Sequence, residues 1–349
     1  GYSLYQRYTK SISVSSSSIV VPDVYNIANR QGNLSGSEAN TTERKFGYYA
    51  DLNTNLKDME WLNLNVTGRY DATSRFFKPT RATNQYSYFY YGAALSFILT
   101  DAIPSLKSNT LNYAKLRTSY NKNGNDNIPL YGLDLAFANG ANFPYGSNVG
   151  LTVGNTLPDA NLKPEFVTAL EVGGEFSMFK NRVNLDLAWY NQSSVGQVLS
   201  VKVPNTTGFS NLLINVGEVK NFGYEADLKV QILRNTAVKW DANVKYSYND
   251  NQVVSLYPGI TAFAYGGYSY ATSNVILGER FPMLKTNGYY WNADHTLRRV
   301  NATTGYPVQN TALTNRGGTL PRDMVGLGSS VSYKDFRFSF NFEYLSLIH

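Results

Sequence analysis

Hydrophobic and polar residues alternate with a period of two along much of this chain. The clearest example is the segment 62–70, where Leu62, Leu64 and Val66 alternate with Asn and Thr residues. An α-helix would distribute these apolar side chains around its circumference, whereas a β-strand places them on one face. The alternation predicts about 11 strands, near residues 2–9, 43–57, 61–73, 86–99, 111–121, 166–179, 183–193, 221–233, 238–249, 322–333 and 336–347.

The connections between the predicted strands alternate between short and long segments. Short connections are expected near 58–60, 100–110, 180–182, 234–237 and 334–335, and long ones near 10–42, 74–85, 122–165, 194–220 and 250–321. In an antiparallel meander, successive connections lie at opposite ends of the sheet. We therefore expect the short connections at one end and the long polar loops at the other, as in outer-membrane barrels.

Two all-β architectures are compatible with this alternation, because a soluble β-sandwich also has one apolar and one polar face. Two features favour the membrane barrel. Most of the predicted strands exceed the ~5–6 residues usual in globular proteins and match the ~9–11 residues of a tilted membrane strand. Connections such as 122–165 and 250–321 are unusually long for a compact sandwich. The sequence predicts an antiparallel transmembrane β-barrel, of which this chain forms a partial wall of about 11 long strands with long extracellular loops.

Composition narrows the chemistry that the chain can perform. It contains 0 Cys and 2 His, so disulfide scaffolds, Cys-based zinc sites and thiol nucleophiles are excluded. His295 lies in the longest predicted loop, where we expect an exposed residue rather than a catalytic base. The Asn-rich segment 121–127 has a single carboxylate and predicts a polar turn rather than a calcium loop. We expect no enzymatic activity, no metal site and no cofactor.

Charged residues lie mainly at the polar positions of the predicted strands. A Lys or Arg on the lipid-facing side near the membrane midplane costs roughly 2–4 kcal/mol, which fixes the register of each strand. The side chains expected to face lipid are Leu62, Leu64, Val66, Leu185, Leu187, Val244, Phe338 and Phe340. Those expected to face the lumen are Arg69, Asp71, Glu171, Glu175, Asp186, Glu225, Asp227, Lys229, Lys245 and Arg337. The formal net charge of +6 is spread along the strands and forms no basic patch, so nucleic-acid binding is not expected.

Several segments go beyond generic barrel alternation. They are Asn-Leu-Lys-Pro-Glu at 161–165, Lys-Asn-Arg at 180–182, Pro-Asn-Thr-Thr-Gly at 204–208 and Asn-Val-Gly-Glu-Val-Lys-Asn-Phe-Gly-Tyr-Glu at 215–225. In this order they resemble the SusC/RagA family of TonB-dependent outer-membrane transporters of Bacteroidetes, and the resemblance runs from about residue 2 to residue 344. Pro164 lacks a backbone N–H and suits the start of a strand. We interpret the motifs as maintaining the barrel and its loops rather than contacting substrate.

The resemblance implies a function and a set of partners. It implies TonB-dependent active import of a bulky nutrient, a glycan or a peptide, across the bacterial outer membrane, without covalent chemistry. The partners that it implies are a SusD-like surface lipoprotein that acts as a lid, the TonB complex and outer-membrane lipid. An outer-membrane adhesin or a structural barrel without transport is the alternative from another class. A hydrolase embedded in the barrel is a third possibility, but no Ser/His pair is visible on the polar faces.

The resemblance also bears on how much of the barrel this sequence supplies. Residues 1–349 are expected to form part of one transmembrane β-barrel domain, with the plug, the TonB-contacting segment and the closing C-terminal strands outside the sequence. Plugged transporters have ~22 strands, so about 11 strands are roughly half a wall, and we expect the first and last strands not to pair with each other. Residues 345–349 depart from the glycine-containing loop that the resemblance implies, and a truncation artefact is one interpretation of that end.

Aromatic residues are frequent in the long predicted loops, among Gly, Asn and Ser. Flat rings beside amides and hydroxyls suit contacts to sugars or peptides, and they equally suit an interfacial aromatic girdle or packing within a loop. These alternatives stay open for each residue. The candidates for contact with substrate or lid are Phe143, Tyr145, Tyr265, Tyr268, Tyr289 and Trp291.

Overall fold

The main element of the structure, a computed structural model, is one antiparallel sheet of 11 strands. The structure describes residues 1–32, 34–56, 59–140, 143, 145–234 and 237–346. The strands of the main sheet are β1 (Tyr2–Ser15), β2 (Ser35–Leu56), β3 (Met59–Thr73), β4 (Ser87–Ile98), β5 (Leu111–Asn125), β6 (Glu165–Met178), β7 (Val183–Val195), β8 (Gly217–Arg234), β9 (Val238–Leu256), β10 (Asp323–Tyr333) and β11 (Phe336–Leu345).

The strands follow one another across the sheet in chain order, from β1 to β11. The connections 179–182 and 334–335 therefore lie at one end, and 126–164 and 257–322 lie at the other, as the alternation of short and long connections predicts. Residues 57–58 and 235–236 lie outside the described residues, but the strands that flank them pair directly. Within the described part of the chain, β1 and β11 are the two edges and do not pair with each other.

The first strands extend further towards the long-loop end than predicted. β1 reaches Ser15 rather than residue 9, and β2 begins at Ser35 rather than residue 43. In this region Lys10 pairs with Asn40, and the side chains of both strands are mostly exposed and polar. Backbone N–H and C=O groups gain from pairing whatever the side chains are, so the ladder continues where no apolar face is needed. The period-two pattern ends earlier than the strands do.

The long connections contain small sheets that the sequence pattern did not predict. Val198–Lys202, Asn211–Asn215 and Thr156–Pro158 form a sheet of three strands, and Ala262–Tyr268, Ala271–Ile276, Met283–Tyr289 and Gln309–Gly318 form a sheet of four. Two further pairs are Ser18–Ile19 with Arg30–Gln31 and Phe137–Asn139 with Leu151–Val153. Among the described residues, the helical segments are one α-helical turn, Leu99–Ala102, and the 3₁₀ turns Ile27–Asn29, Thr83–Gln85, Pro104–Leu106 and Asn205–Thr207.

The main sheet is a single layer, so its apolar residues cannot pack against a second layer of this chain. The buried apolar clusters lie instead at the long-loop end. Two are in the connections, one of Phe76, Ile128, Leu133 and Leu162 and one of Val201, Ile214 and Val216, and a third joins Val219 and Val253, at the ends of β8 and β9, to Val275. By contrast, Phe338 and Phe342 of β11 are each 68% exposed. No helix in the described part of the chain has the length and apolar character needed to cross a membrane.

Candidate functional surfaces

The register of the main sheet separates apolar and polar side chains onto two faces. One cross-strand row consists of Leu185, Leu228, Val244, Leu327 and Phe342. The neighbouring row, displaced by one residue on every strand, consists of Asp186, Asp227, Lys245, Gly326 and Glu343. Successive side chains of a strand point to opposite sides of the sheet. We therefore call the side of the first row the apolar face and the side of the second row the polar face.

The residues predicted from the sequence to face the lumen share the polar face, and those predicted to face lipid share the apolar face. The polar face carries Arg69, Asp71, Glu171, Glu175, Asp186, Glu225, Asp227, Lys229, Lys245 and Arg337. The apolar face carries Leu62, Leu64, Val66, Leu185, Leu187, Val244, Phe338 and Phe340. Contact of the polar face with the lumen and of the apolar face with lipid stays a prediction.

Arg117, which the sequence analysis did not single out, is the centre of an ion-pair network on the polar face. Its guanidinium lies 3.1 Å from Glu175 and 2.9 Å from Asp186, and its Nε lies 3.8 Å from Glu171. Lys115 Nζ is also 3.1 Å from Glu175 Oε1. The network joins β5, β6 and β7, so the carboxylates predicted from alternation are held by two cations. Arg117 occupies a polar position between Leu116 and Thr118, and this parity is the signal that could have identified it.

An open cavity of about 820 Å³ lies beside this network, along β7 to β11. Its charged lining comprises Arg117, Asp186, Glu225, Asp227, Lys245 and Glu343. Asp227 Oδ2 lies 3.7 Å from Lys245 Nζ. Four carboxylates thus face two cations, and this part of the polar face is acidic. Such a surface suits contact with basic or strongly hydrogen-bonding groups.

A second charged cluster lies at the long-loop end of β1 and β2. The Glu43 carboxylate is buried and accepts hydrogen bonds from Arg75 Nε at 2.7 Å and Arg7 Nη2 at 3.1 Å. Lys45 Nζ reaches Asp126 at 2.7 Å. The hydrogen bond to Glu43 raises the pKa of the Arg75 guanidinium, which therefore stays charged. The cluster ties β1 and β2 to the connections that follow β3 and β5.

Nearby, Arg69 and Asp71 of β3 form a pair with Nε and Oδ1 2.8 Å apart. Tyr90 donates a 2.6 Å hydrogen bond to Asp71, and Arg69 donates one of 2.9 Å to Ser3. The Arg69 guanidinium also lies 5.7 Å from the ring centroid of Tyr49. These contacts extend the polar face across β1 to β4. The Arg69 guanidinium and the Asp71 carboxylate therefore both have hydrogen-bond partners.

The connection between β3 and β4 binds the longer connection between β5 and β6. Arg75, Lys78 and Arg81 donate hydrogen bonds to the backbone carbonyls of Ile128, Leu133 and Leu162 respectively. The same three apolar residues pack with Phe76 in a buried cluster. The three cations, each three residues from the next, and the Phe76 ring therefore fix the position of the β5–β6 connection.

Two of the motifs that carry the resemblance, 161–165 and 215–225, meet in space. The Asn215 side chain accepts a hydrogen bond from Lys163 N at 2.9 Å and donates to Lys163 O at 2.8 Å and to Gly196 O at 2.6 Å. Glu165 accepts from Val198 N at 2.6 Å and from Asn125 Nδ2 at 2.9 Å. Leu162 of the same motif is fully buried. These contacts within the chain fit the structural interpretation of the motifs.

The candidate loop aromatics fall into separate groups. Phe143 and Tyr145 lie in the β5–β6 connection, where Tyr145 is 78% exposed. Tyr265 packs against Phe281 with ring centroids 5.6 Å apart, and Tyr268 stacks on Tyr270 at 5.9 Å. Tyr289 and Trp291 lie together around Arg298, with ring centroids 4.9 and 5.4 Å from its guanidinium carbon.

His295 lies in an exposed turn of the same segment, with its ring 6.4 Å from the Trp291 ring. Among the described residues there is no group of three or more His, Cys, Asp or Glu side chains arranged to hold a metal ion. The Asn-rich segment 121–127 includes the end of β5, where Asn125 accepts a hydrogen bond from Asn127 N at 3.1 Å. The candidate functional features of the described residues are therefore their charged networks and exposed aromatic rings.

Comparison with known proteins gives a consistent result. A family model described as "TonB dependent receptor-like, beta-barrel" matches residues 2–347. TonB-dependent receptor P26 of Formosa agariphila is 26% identical over 324 residues, which cover 85% of this chain and 31% of the relative. TonB-dependent receptor SusC of Bacteroides thetaiotaomicron is 24% identical over 378 residues, which cover 97% of this chain and 37% of the relative.

The fold is likewise similar to solved structures. The RagAB peptide transporter structure superposes with a TM-score of 0.79 at 19% identity, over 99% of this chain and 38% of that one. The outer-membrane transporter YddB of Escherichia coli superposes with a TM-score of 0.57 at 12% identity, over 99% of this chain and 38% of that one. The chain spans about a third of the length of the curated relatives that it matches.

Proposed function

Because this chain belongs to the TonB-dependent receptor β-barrel family, we propose that it supplies part of the wall and the substrate-facing loops of a transporter for active import of a bulky nutrient. Its location is the bacterial outer membrane. The observation that carries the proposal is the division of one single-layer sheet into an apolar and a polar face. A sheet with that division is stable when one face meets lipid and the other meets water or a plug.

The dimensions of the apolar face support this arrangement. On β9, Trp240 and Tyr248 both lie on the apolar face, with Ala242, Val244 and Tyr246 between them. Their separation of 8 residues corresponds to roughly 26 Å along the strand, or about 20 Å along the membrane normal for a tilt of ~40°. An apolar band flanked by aromatic residues and about 25 Å tall is typical of outer-membrane barrels. The band on β9 therefore fits a bilayer.

The polar face would then line the lumen. Charges such as Arg117, Glu175 and Asp186 are paired with one another, so a lumen of water and polar groups accommodates them without an unpaired charge in lipid. The acidic cavity along β7 to β11 would face the plug. The connections at the other end of the sheet, including residues 126–164 and 257–322, would lie on the cell surface, where a substrate and a SusD-like lipoprotein lid would meet them.

Glycans and peptides remain the two substrate classes within this proposal. The RagAB structure is named a peptide transporter, and that description belongs to that protein. We propose that TonB energises the import through parts of the whole protein outside this sequence. We also propose that the substrate or the lid contacts residues from one set of loop aromatics: Phe143, Tyr145, Tyr265, Tyr268, Tyr289 and Trp291.

The test is a deletion of the whole gene in its source bacterium. Uptake of labelled oligosaccharides and oligopeptides should fall for one class, return on complementation and stop when a protonophore collapses the proton gradient that TonB uses. A strain lacking TonB should show the same loss. Unchanged uptake of every nutrient, together with lost attachment to surfaces, would instead support an adhesin.

A further inference from the structure

One segment of the long β9–β10 connection forms an arm with its own hydrogen-bonded tip. We define the arm as residues 283–318, in which the strands Met283–Tyr289 and Gln309–Gly318 pair antiparallel. Beyond these strands, Arg299 N donates to Tyr290 O and Val308 N donates to Arg299 O, each at 2.8 Å. Antiparallel bridges between Trp291 and Arg298 and between Val300 and Pro307 align three neighbouring segments of the chain side by side. The tip is therefore an ordered surface rather than a simple loop.

The arm concentrates positive charge. It contains Lys285, Arg298, Arg299 and Arg316 against the single carboxylate Asp294, a formal net charge of +3 where the whole chain has +6. Asp294 accepts hydrogen bonds from Thr296 within its own turn, at 2.9 Å to the hydroxyl and 3.3 Å to the backbone. Neither Arg298 nor Arg299 forms an ion pair with any carboxylate in the described part of the chain. Two guanidinium groups at the tip thus carry uncompensated charge.

Aromatic rings hold both guanidinium groups in place. The Arg298 guanidinium carbon lies 4.9 Å from the Tyr289 ring centroid and 5.4 Å from that of Trp291, and Arg299 lies 5.8 Å from that of Tyr290. A guanidinium stacked on a ring keeps its N–H edge free for bidentate binding of a carboxylate or sulfate. The rings themselves are about two-fifths exposed, from 39% for Trp291 to 44% for Tyr290. The tip therefore presents flat apolar surface and fixed cations side by side.

Resting on the proposed import function, we infer that the tip of the arm binds anionic oligosaccharides, with Arg298 pairing with their acidic groups while Tyr289 and Trp291, on the same side of the tip, contact the sugar faces. A uronate or sulfated sugar has a flat C–H face and an acidic group a few ångströms away. In the tip, the Arg298 guanidinium likewise lies a few ångströms from two flat rings, those of Tyr289 and Trp291. An acidic peptide carries its carboxylates on flexible stems and offers no comparable flat apolar face. The observations therefore favour the saccharide.

The experiment uses the purified full-length protein and measures binding by calorimetry and by Trp fluorescence. The probes are hexameric oligogalacturonate, a sulfated hexasaccharide, the methyl-esterified and therefore neutral oligogalacturonate, and hexaglutamate. The test variant is Arg298→Gln. The control is Arg316→Gln, which removes the same charge from the base of the arm, away from the stacked rings. Heat-modifiable migration in SDS gels checks that each variant is folded.

We expect the wild type to bind at least one acidic saccharide, and the test variant to bind it about tenfold or more weakly because charge-assisted hydrogen bonds are lost. The control variant should change affinity less than about threefold, since exposed charges at a distance are screened by salt. Equal binding of the neutral ester, equal loss in both variants or failure of every acidic saccharide to bind the wild type would overturn the inference. Tight binding of hexaglutamate alone would assign the tip to acidic peptides. None of these results bears on whether the whole protein imports a nutrient, which the gene deletion tests separately.

Discussion

Replacing Val244 by arginine should impair folding into a membrane far more than replacing the adjacent Asn243. Val244 lies in the apolar row between Leu228 and Leu327, whereas Asn243 lies on the polar face. An Arg near the bilayer midplane costs about 2–4 kcal/mol of folding free energy. Because each ~1.4 kcal/mol is a factor of ten, Val244→Arg should lower the folding equilibrium constant about 30- to 700-fold.

The control variant is not neutral, and its cost can also be worked out. Asn243 pairs across the sheet with Lys229, so Asn243→Arg places two like charges opposite each other. Such pairs are destabilising by ~0.2–1 kcal/mol, which remains below the cost expected for Val244→Arg. The assay is refolding of the full-length protein into lipid vesicles, followed by urea titration and heat-modifiable migration in SDS gels. Equal losses of folding free energy, or a larger loss for Asn243→Arg, would refute the assignment of the two faces.

Three further predictions concern the long-loop end. Glu43→Gln should lower the free energy of unfolding by about 1–3 kcal/mol, because two arginines lose a buried charged acceptor. Amide hydrogen exchange should then rise in the connection after β3, and unchanged exchange would contradict this prediction. Asn215→Ala should remove three hydrogen bonds, two that join the motifs 161–165 and 215–225 and one to Gly196, and increase proteolysis near them. Equal cleavage of variant and wild type would argue against this role of Asn215. Hydrogen bonds from Thr296 lower the pKa of Asp294 below its ordinary 3.8, so the turn is stabilised above that pH and loses this contribution as the pH falls through the lowered pKa. Fluorescence of Trp291 should therefore show a transition in acid, and an Asp294→Asn variant should lack that transition.

The strand order and the two faces were predictable because a single-layer wall imposes a strict local rule. Every second residue of β3, β7, β9 and β11 must be apolar if that face meets lipid, and the rule can be read in any window of ten residues. The strand ends were less predictable. Where β1 and β2 rise above the apolar band, both sides of the ladder are wet and the alternation disappears.

The candidate site was only partly predictable, because its contacts join residues far apart in the chain. Lys163 and Asn215 are 52 positions apart, and Arg117 and Asp186 are 69 positions apart. Alternation identified Asp186 as a polar-face residue, but it could not identify its partner. Loop composition indicated Tyr289 and Trp291 as candidates, but not Arg298 between them, since the bridge that places it forms only when the arm folds.

Nitroxide scanning of β9 would show which face of the sheet meets lipid. The chain contains 0 Cys, so single cysteines at each position from 240 to 248 can be introduced into this part of the protein and spin-labelled in vesicles. A wall whose apolar face meets lipid should give a period of two. Labels at 240, 242, 244, 246 and 248 should be more accessible to oxygen, and labels at 241, 243, 245 and 247 more accessible to a water-soluble nickel chelate. Accessibility without alternation, or with the two sets exchanged, would contradict a barrel wall whose apolar face meets lipid.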